Sequence, residues 1–295
     1  MSIDSHYRSS GYRPIGLYAD RLSTGLLWCL GGLGLCLPLF IIGFLIFGGL
    51  HVISWEFLSE SPRGFPLGLS GGIWPAIQGS LALAGIALLL SVPVAVTGAL
   101  YLAEYCQRPA LITSVRLLHE CLAGIPSMVY GLFGYFLLVI VLDLKVSLLS
   151  GGITLGLIMV PQIFIGAHEG LKAVESDYRD AALSLGVTRA YFVWRILLRE
   201  AWHRILAITV LSSGHALGSA APVLYTASVI QSRGGLDLGA PVMTLPTHLY
   251  YLVSEAISFE HAYGTALVLV IILLLVNFSA VFVNRIAKTR ASERG

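Results

Sequence analysis

Six stretches of this chain carry no charged side chain: residues 22–55, 64–103, 121–142, 146–168, 205–232 and 261–284. Each is at least 22 residues long, and about 20 apolar residues cross the hydrocarbon core of a bilayer as a helix. Backbone in lipid must satisfy its own hydrogen bonds, so helices are the expected form. The second stretch is too long for one helix. Its front, Gly64–Gly72, is rich in turn residues, so the helix is expected to start near Trp74 and Pro75, with proline in the first turn. A seventh uncharged gap, 238–254, holds Pro241, Pro246 and His248; it is shorter than a span and reads as a partly buried loop. The pattern predicts an all-α protein with six transmembrane helices.

Composition narrows the class. The 295 residues are 56% hydrophobic and 12% charged, with mean hydropathy +0.83, whereas soluble domains carry about 25% charged residues. A soluble enzyme and a disordered chain are both excluded. A net charge of +2 gives no footprint for nucleic acid. Fifteen of the 18 Lys and Arg fall on one side of the six segments, which predicts both termini cytoplasmic. The polar first 20 residues and the long apolar run after them read as a tail before a retained helix, not a cleaved signal. Cys29, Cys36, Cys106 and Cys121 form no disulfide framework and read as small apolar side chains. The expected organisation is a tail over 1–21, a first span and outer loop over 22–70, a core over 71–285, and a second tail over 286–295.

One sizeable cytoplasmic loop, 169–204, lies between the fourth and fifth spans. Val174, Tyr178, Ala181 and Leu185 form one helical stripe. Asp177 reads as an N-cap, with Asp180 in the first turn, and Gly186 as the helix stop. Thr188 starts a second helix with Arg195, Arg199 and His203 on one face. Ala181, Ala182 and Gly186 are small enough to admit another protein surface. Periodicity leaves two roles open: a docking element, or a hairpin packed beneath its own bundle.

Asp180-Ala181-Ala182, with Gly186 four residues further on and Ile196-x-Leu198 beyond, resembles the EAA loop of ABC importer permeases. Asp stands in place of Glu, and Arg199 where Pro is usual. Four further stretches run Gly71-Gly72-Ile73-Trp74-Pro75, Ala99-Leu100-Tyr101-Leu102-Ala103-Glu104-Tyr105, Gly124-Ile125-Pro126-Ser127-Met128-Val129-Tyr130-Gly131 and Met243-Thr244-Leu245-Pro246. Together they resemble the PstA-type phosphate permeases, from about Gly71 to Arg285. The resemblance implies a six-helix type I importer fold (MetI-like core) in a bacterial inner membrane. It also implies a PstC-like second permease, a PstB-like ATPase dimer and a PstS-like periplasmic phosphate-binding protein. Asp180, Ala181, Ala182, Gly186, Ile196 and Leu198 would then couple the chain to the ATPase. ATP and Mg would belong to that ATPase, because no Gly-x-x-x-x-Gly-Lys-Ser/Thr loop occurs here.

The fifth span departs from the family. Gly214-His215-Ala216-Leu217-Gly218-Ser219 puts His215 and Ser219 where PstA members typically carry an intramembrane Arg and Glu. Both charges are lost together, so neither is left unpaired. His215, Gly218 and Ser219 are the candidate pathway residues. His215 either lines the anion path or is a neutral histidine bonded to a neighbour such as Ser219. Inorganic phosphate is the favoured substrate. Another oxyanion or phosphorus compound, or a non-transporting regulatory subunit, remain alternatives. Gly124, Pro126 and Gly131, with Gly134 and Gly218, are candidates for helix mobility; Pro93, Pro126 and Pro161 are candidate kinks, and ordinary packing would account for each of these as well. An intramembrane hydrolase lacks an acid beside Ser219 and His215, and the scattered histidines form no His-Glu-x-x-His zinc motif.

Overall fold

A computed structural model describes residues 14–174, 176–229 and 236–292. The first helix, α1 (Pro14–Gly49), starts well ahead of the uncharged stretch, so part of the expected tail over 1–21 is helix. Proline suits a first helical turn. At about 1.5 Å per residue, 36 residues exceed the thickness of the bilayer core, and the helix therefore projects beyond it. None of its apolar span is buried within the chain. Its outer end meets α12 (Phe259–Ser292), where Gly49 lies so close that an added Cβ would come within 2.6 Å of the Tyr263 carbonyl.

On the outer side, Ser54 caps the short α2 (Trp55–Ser59). A two-residue hairpin follows, β1 (Pro62–Arg63) against β2 (Ser70–Gly71), with Pro62 opposite Gly71. The second span, α3 (Trp74–Leu100), starts at Trp74 with Pro75 in its first turn, as the turn-rich segment before it predicts. It ends in a π turn, Tyr101–Tyr105.

The third span differs from expectation. Residues 121–123 belong to α4 (Pro109–Ala123), and the span itself starts after a 94° bend, with α5 (Ser127–Gly134) and a π segment to Val141. Pro126 does not kink a continuous helix. It stands in the extended region at the start of α5, because its missing N–H and its ring disfavour helix through that point. Arg116 and Glu120 on α4 pair at 2.7 Å, which suits a helix lying at the membrane surface.

The fourth span, α6 (Leu148–Lys172), is the centre of the molecule, with about two thirds of its apolar window buried. Ala87, Ala95 and Ala99 of α3 pack with Leu155, Met159, Ile163, Phe164 and Ala167 of α6 in one core cluster. Small side chains on both helices let the backbones approach, which is how helices associate in lipid. The cytoplasmic loop then forms α7 (Ser176–Ser184) and α8 (Arg189–Phe192), and a π turn leads into α9 (Leu198–Gly218). Arg199, Glu200 and Arg204 mark the inner turns of α9, which is free of charged side chains from Ile205 onward. Ser219 leaves helical geometry (φ −85°, ψ 107°), and the fifth span resumes as α10 (Ala221–Thr226).

The gap at 238–254 is not a loop throughout: it contains α11 (Leu245–Ser254). Thr244 and Thr247 cap its start reciprocally, with Pro246 in the first turn, and Leu245 N–H donates to Ser80 Oγ of α3 at 2.8 Å. Ten residues reach about 15 Å, so it packs on the bundle without crossing the membrane. Among the described residues four helices, α1, α3, α6 and α12, are long and apolar enough to cross a membrane, and α4 with α5 and its π segment makes a fifth if the bent pair is one span; α9 and α10 occupy the expected fifth span without reaching the same apolar length.

Candidate functional site

Two features stand out: an open, mainly apolar cavity on the face between α6, α9 and α12 that carries a few polar side chains, with His215 exposed in it, and the cytoplasmic segment α7. The cavity, about 650 Å³, opens between α6, α9 and α12. His215 lines it together with Gln162, Ser212 and Asn277, and Leu211 and Leu273 form apolar wall. Helical spacing explains the juxtaposition of Leu211, Ser212 and His215, since positions three and four apart share a face. Ser212 is 2% exposed, and its Oγ has no hydrogen-bond partner among the described residues. Asn277 donates to the Leu273 carbonyl at 2.8 Å, which leaves its side-chain carbonyl and its second amide hydrogen for the cavity. Glu169 lines the inner end, where Arg116 of α4 faces it at 3.5 Å.

Ser219 does not share this cavity. α9 ends at Gly218, and the i, i+4 relation to His215 is made to its backbone. Ser219 Oγ donates to the His215 carbonyl oxygen at 2.8 Å, and the residue lines a separate crevice with Ser80, Thr244 and Pro246. The ring of His215 is therefore not the group Ser219 engages. Gly218 is exposed near Leu273. Sequence reasoning named His215 and missed Gln162, Ser212 and Asn277. Gln162 and Asn277 are uncharged amides inside long apolar runs, and that was the available signal.

The second feature is α7. Asp177 lies in its first turn, not at its cap; residue 175 is outside the described residues. Gly186 adopts φ +67°, a left-handed geometry that costs glycine little. Val187 N–H donates to the Ala182 carbonyl, so the helix closes in the manner of a Schellman stop. Thr188 caps α8 by accepting from Tyr191 N–H. Tyr178, Ala181 and Leu185 face away from the bundle, Tyr178 44% and Leu185 81% exposed. Asp180 and Gly186 are exposed as well. The outward side of α7 thus leaves an apolar stripe uncovered by the rest of the chain.

The other residues of this motif face inward. Ala182 is buried in the chain's own core beside Phe192, Val193 and Leu197, and Ile196 and Leu198 pack partly buried against the same cluster. Their apolar character holds α7 and α8 on the bundle. The glycines of the third span also divide. Gly131 presses against Pro222 of α10, and Gly134 against Thr154 of α6. Gly124 stands at the end of α4, across the bend, so the three do not form one face.

Residues 95–293 match the family described as "Binding-protein-dependent transport system inner membrane component". The chain is 31% identical over 242 residues to "Phosphate transport system permease protein PstA 2" of Mycobacterium bovis, covering 81% of this chain and 79% of that one. It is 25% identical over 276 residues to "Probable ABC transporter permease protein YqgI" of Bacillus subtilis, covering 88% and 93%. Among solved structures it resembles a bacterial alginate ABC transporter, with TM-score 0.58, 16% identity and coverage of 90% and 92%. It also resembles an inward-facing MetNI methionine ABC transporter, with TM-score 0.57, 18% identity and coverage of 73% and 94%.

Proposed function

This chain belongs to the binding-protein-dependent transport system inner membrane components, as a PstA-type ABC importer permease, and on that premise we propose that it carries inorganic phosphate inward across a bacterial inner membrane. It is a transporter subunit and not an enzyme: ABC importer permeases work with an ATPase and a substrate-binding protein. In this reading the other components are a PstC-like permease, a PstB-like ATPase dimer that binds ATP and Mg, and a PstS-like phosphate-binding protein.

The observation that carries the reading is the cavity where His215 meets Ser212, Gln162 and Asn277. A hydroxyl, two amides and an imidazole can each donate a hydrogen bond to an oxyanion. Gathered along an open path, such donors can replace part of an anion's hydration shell. They also let it leave, which transport requires. The relatives named for phosphate transport support phosphate as the substrate. A purely regulatory subunit would have no use for polar side chains gathered on this apolar face, so the cluster favours transport.

α7 supplies the coupling. Its outward stripe of Tyr178, Ala181 and Leu185, flanked by Asp180 and Gly186, offers the ATPase a convex apolar surface, and inward-facing Ala182, Ile196 and Leu198 carry its movement into the bundle.

The test is uptake of labelled phosphate, sulfate and molybdate by cells lacking their own phosphate transporters and expressing the complete complex. Saturable, ATP-dependent phosphate uptake, at least tenfold above that of the other two anions, is expected. Preference for another oxyanion would overturn the substrate, and no uptake of any anion by an assembled complex would overturn the transport reading.

A further inference from the structure

The inner end of the second span is tied to α7 by an ion pair that joins residues 75 apart in sequence: Arg179 Nη2 donates to Glu104 Oε1. The Glu104 side chain is 8% exposed, covered by this chain before any partner arrives. A carboxylate buried at that level is costly unless paired, and Arg179 is the partner. A second contact runs in parallel, with the Arg189 guanidinium 5.9 Å from the centre of the Tyr105 ring. Glu104 and Tyr105 both lie in the π turn Tyr101–Tyr105, closed by Cys106 N–H to the Tyr101 carbonyl at 3.0 Å. Such turns are rare and cluster at functional places. Glu104, Arg179, Ala182, Val187, Arg189 and Phe192 surround a cavity of about 130 Å³. The two elements meet around this cavity through these polar contacts and through apolar packing, since Leu102 and Ala103 share a core cluster with Ala182 and Phe192.

We propose that Glu104 and Arg179 form a strut through which movement of α7 is passed to the second span. Arg179 and Ala182 point inward from the same helix whose Tyr178, Ala181 and Leu185 point outward, so a push on the outer stripe is delivered to the inner face. Apolar contact alone would let α7 slide across the end of α3. A hydrogen-bonded pair, fixed at both ends, moves the π turn with it. Glu104 and Arg179 are positioning residues, and the strut rests on α7 being the segment that docks the ATPase.

The native Cys106 adjoins the π turn and provides the probe. Cys29, Cys36 and Cys121 are replaced by Ser in the full complex, Cys106 carries a spin label, and its spectrum is compared before and after trapping ATP with vanadate. The unaltered strut should show a nucleotide-dependent change in label mobility. Arg179→Met should keep the ATPase bound and able to trap nucleotide, yet cut that change to less than a third. Arg179→Lys, which keeps the charge, should restore at least two thirds of it. A change that persists in Arg179→Met, one absent from the unaltered complex with nucleotide trapped, or loss of the ATPase in Arg179→Met would each overturn the strut. The docking reading fails separately, if Leu185→Asp leaves ATPase binding unaltered.

Discussion

At Gly186 the left-handed φ of +67° and the exposed position make separate demands. Any L residue with a bulky side chain is strained in that region, while Asn tolerates it. Gly186→Trp should abolish ATP-dependent uptake while the protein still inserts in the membrane. Gly186→Asn should keep at least half of the uptake, and normal uptake by the Trp variant would remove α7 from coupling. His248 of α11, outside the spans, poses a different single-residue question. Burial, and secondarily the nearby His261, lower its pKa from 6.5 to about 4. The folded protein holds His248 neutral while the unfolded chain takes up a proton near pH 6.5. Stability is therefore undiminished above that pH and is lost as pH falls toward 4. The loss at the acid end is on the order of 3 kcal/mol. Thermal unfolding in detergent at pH 7, 5.5 and 4.5 should show the decline, and His248→Gln should flatten it.

Between elements, the closest approach to backbone in the third span is Gly131 against Pro222, where an added Cβ would sit 2.7 Å from the Pro222 Cα. That neighbour is backbone and cannot rotate aside. Overpacking of this kind costs about 1–3 kcal/mol or more, so Gly131→Leu should lower the thermal midpoint of the purified permease by several degrees, while Gly124→Leu, in open space beside its own helix, should change it little. Element by element, the sequence was readable where physics is local. Charge-free runs located α3, α6 and α12, the Trp74-Pro75 start was visible as turn chemistry, and Gly186 and Thr188 marked the stop and start of α7 and α8. The break at Pro126 was less legible, because an uncharged run looks the same whether it goes straight or bends by 94°. The short α11 was hidden too, since two prolines and a histidine mask a helix whose start depends on a Thr244–Thr247 cap.

For the whole molecule, the candidate site was only partly legible, and the reason is geometric. His215 was recognisable as a polar residue inside a long uncharged stretch. Gln162 lies 53 positions before it and Asn277 62 after it, and only the packing of α6, α9 and α12 brings the three to one cavity. Ser219 looked like the partner of His215 until the end of α9 turned it into a different crevice. Ala182 illustrates the same limit in the loop: its small size reads as room for a partner, yet the fold spends it on close packing within the chain. A single cavity shared by three helices also makes a joint prediction. His215→Ala and Asn277→Ala should each cut phosphate uptake by about tenfold while leaving ATPase binding intact, whereas Ser219→Ala should change it by less than twofold.

The most direct measurement is the accessibility of position 215 in the working transporter. With the four native cysteines replaced by Ser, His215→Cys in the assembled complex is exposed to a membrane-impermeant thiol reagent during ATP turnover, with Ser219→Cys as the comparison. The account predicts rapid labelling at 215, slowed at least fivefold by phosphate and not by sulfate, and slow labelling at 219 under all conditions. Labelling at 215 that phosphate leaves unchanged, or that is no faster than at 219, would contradict a phosphate path through this cavity.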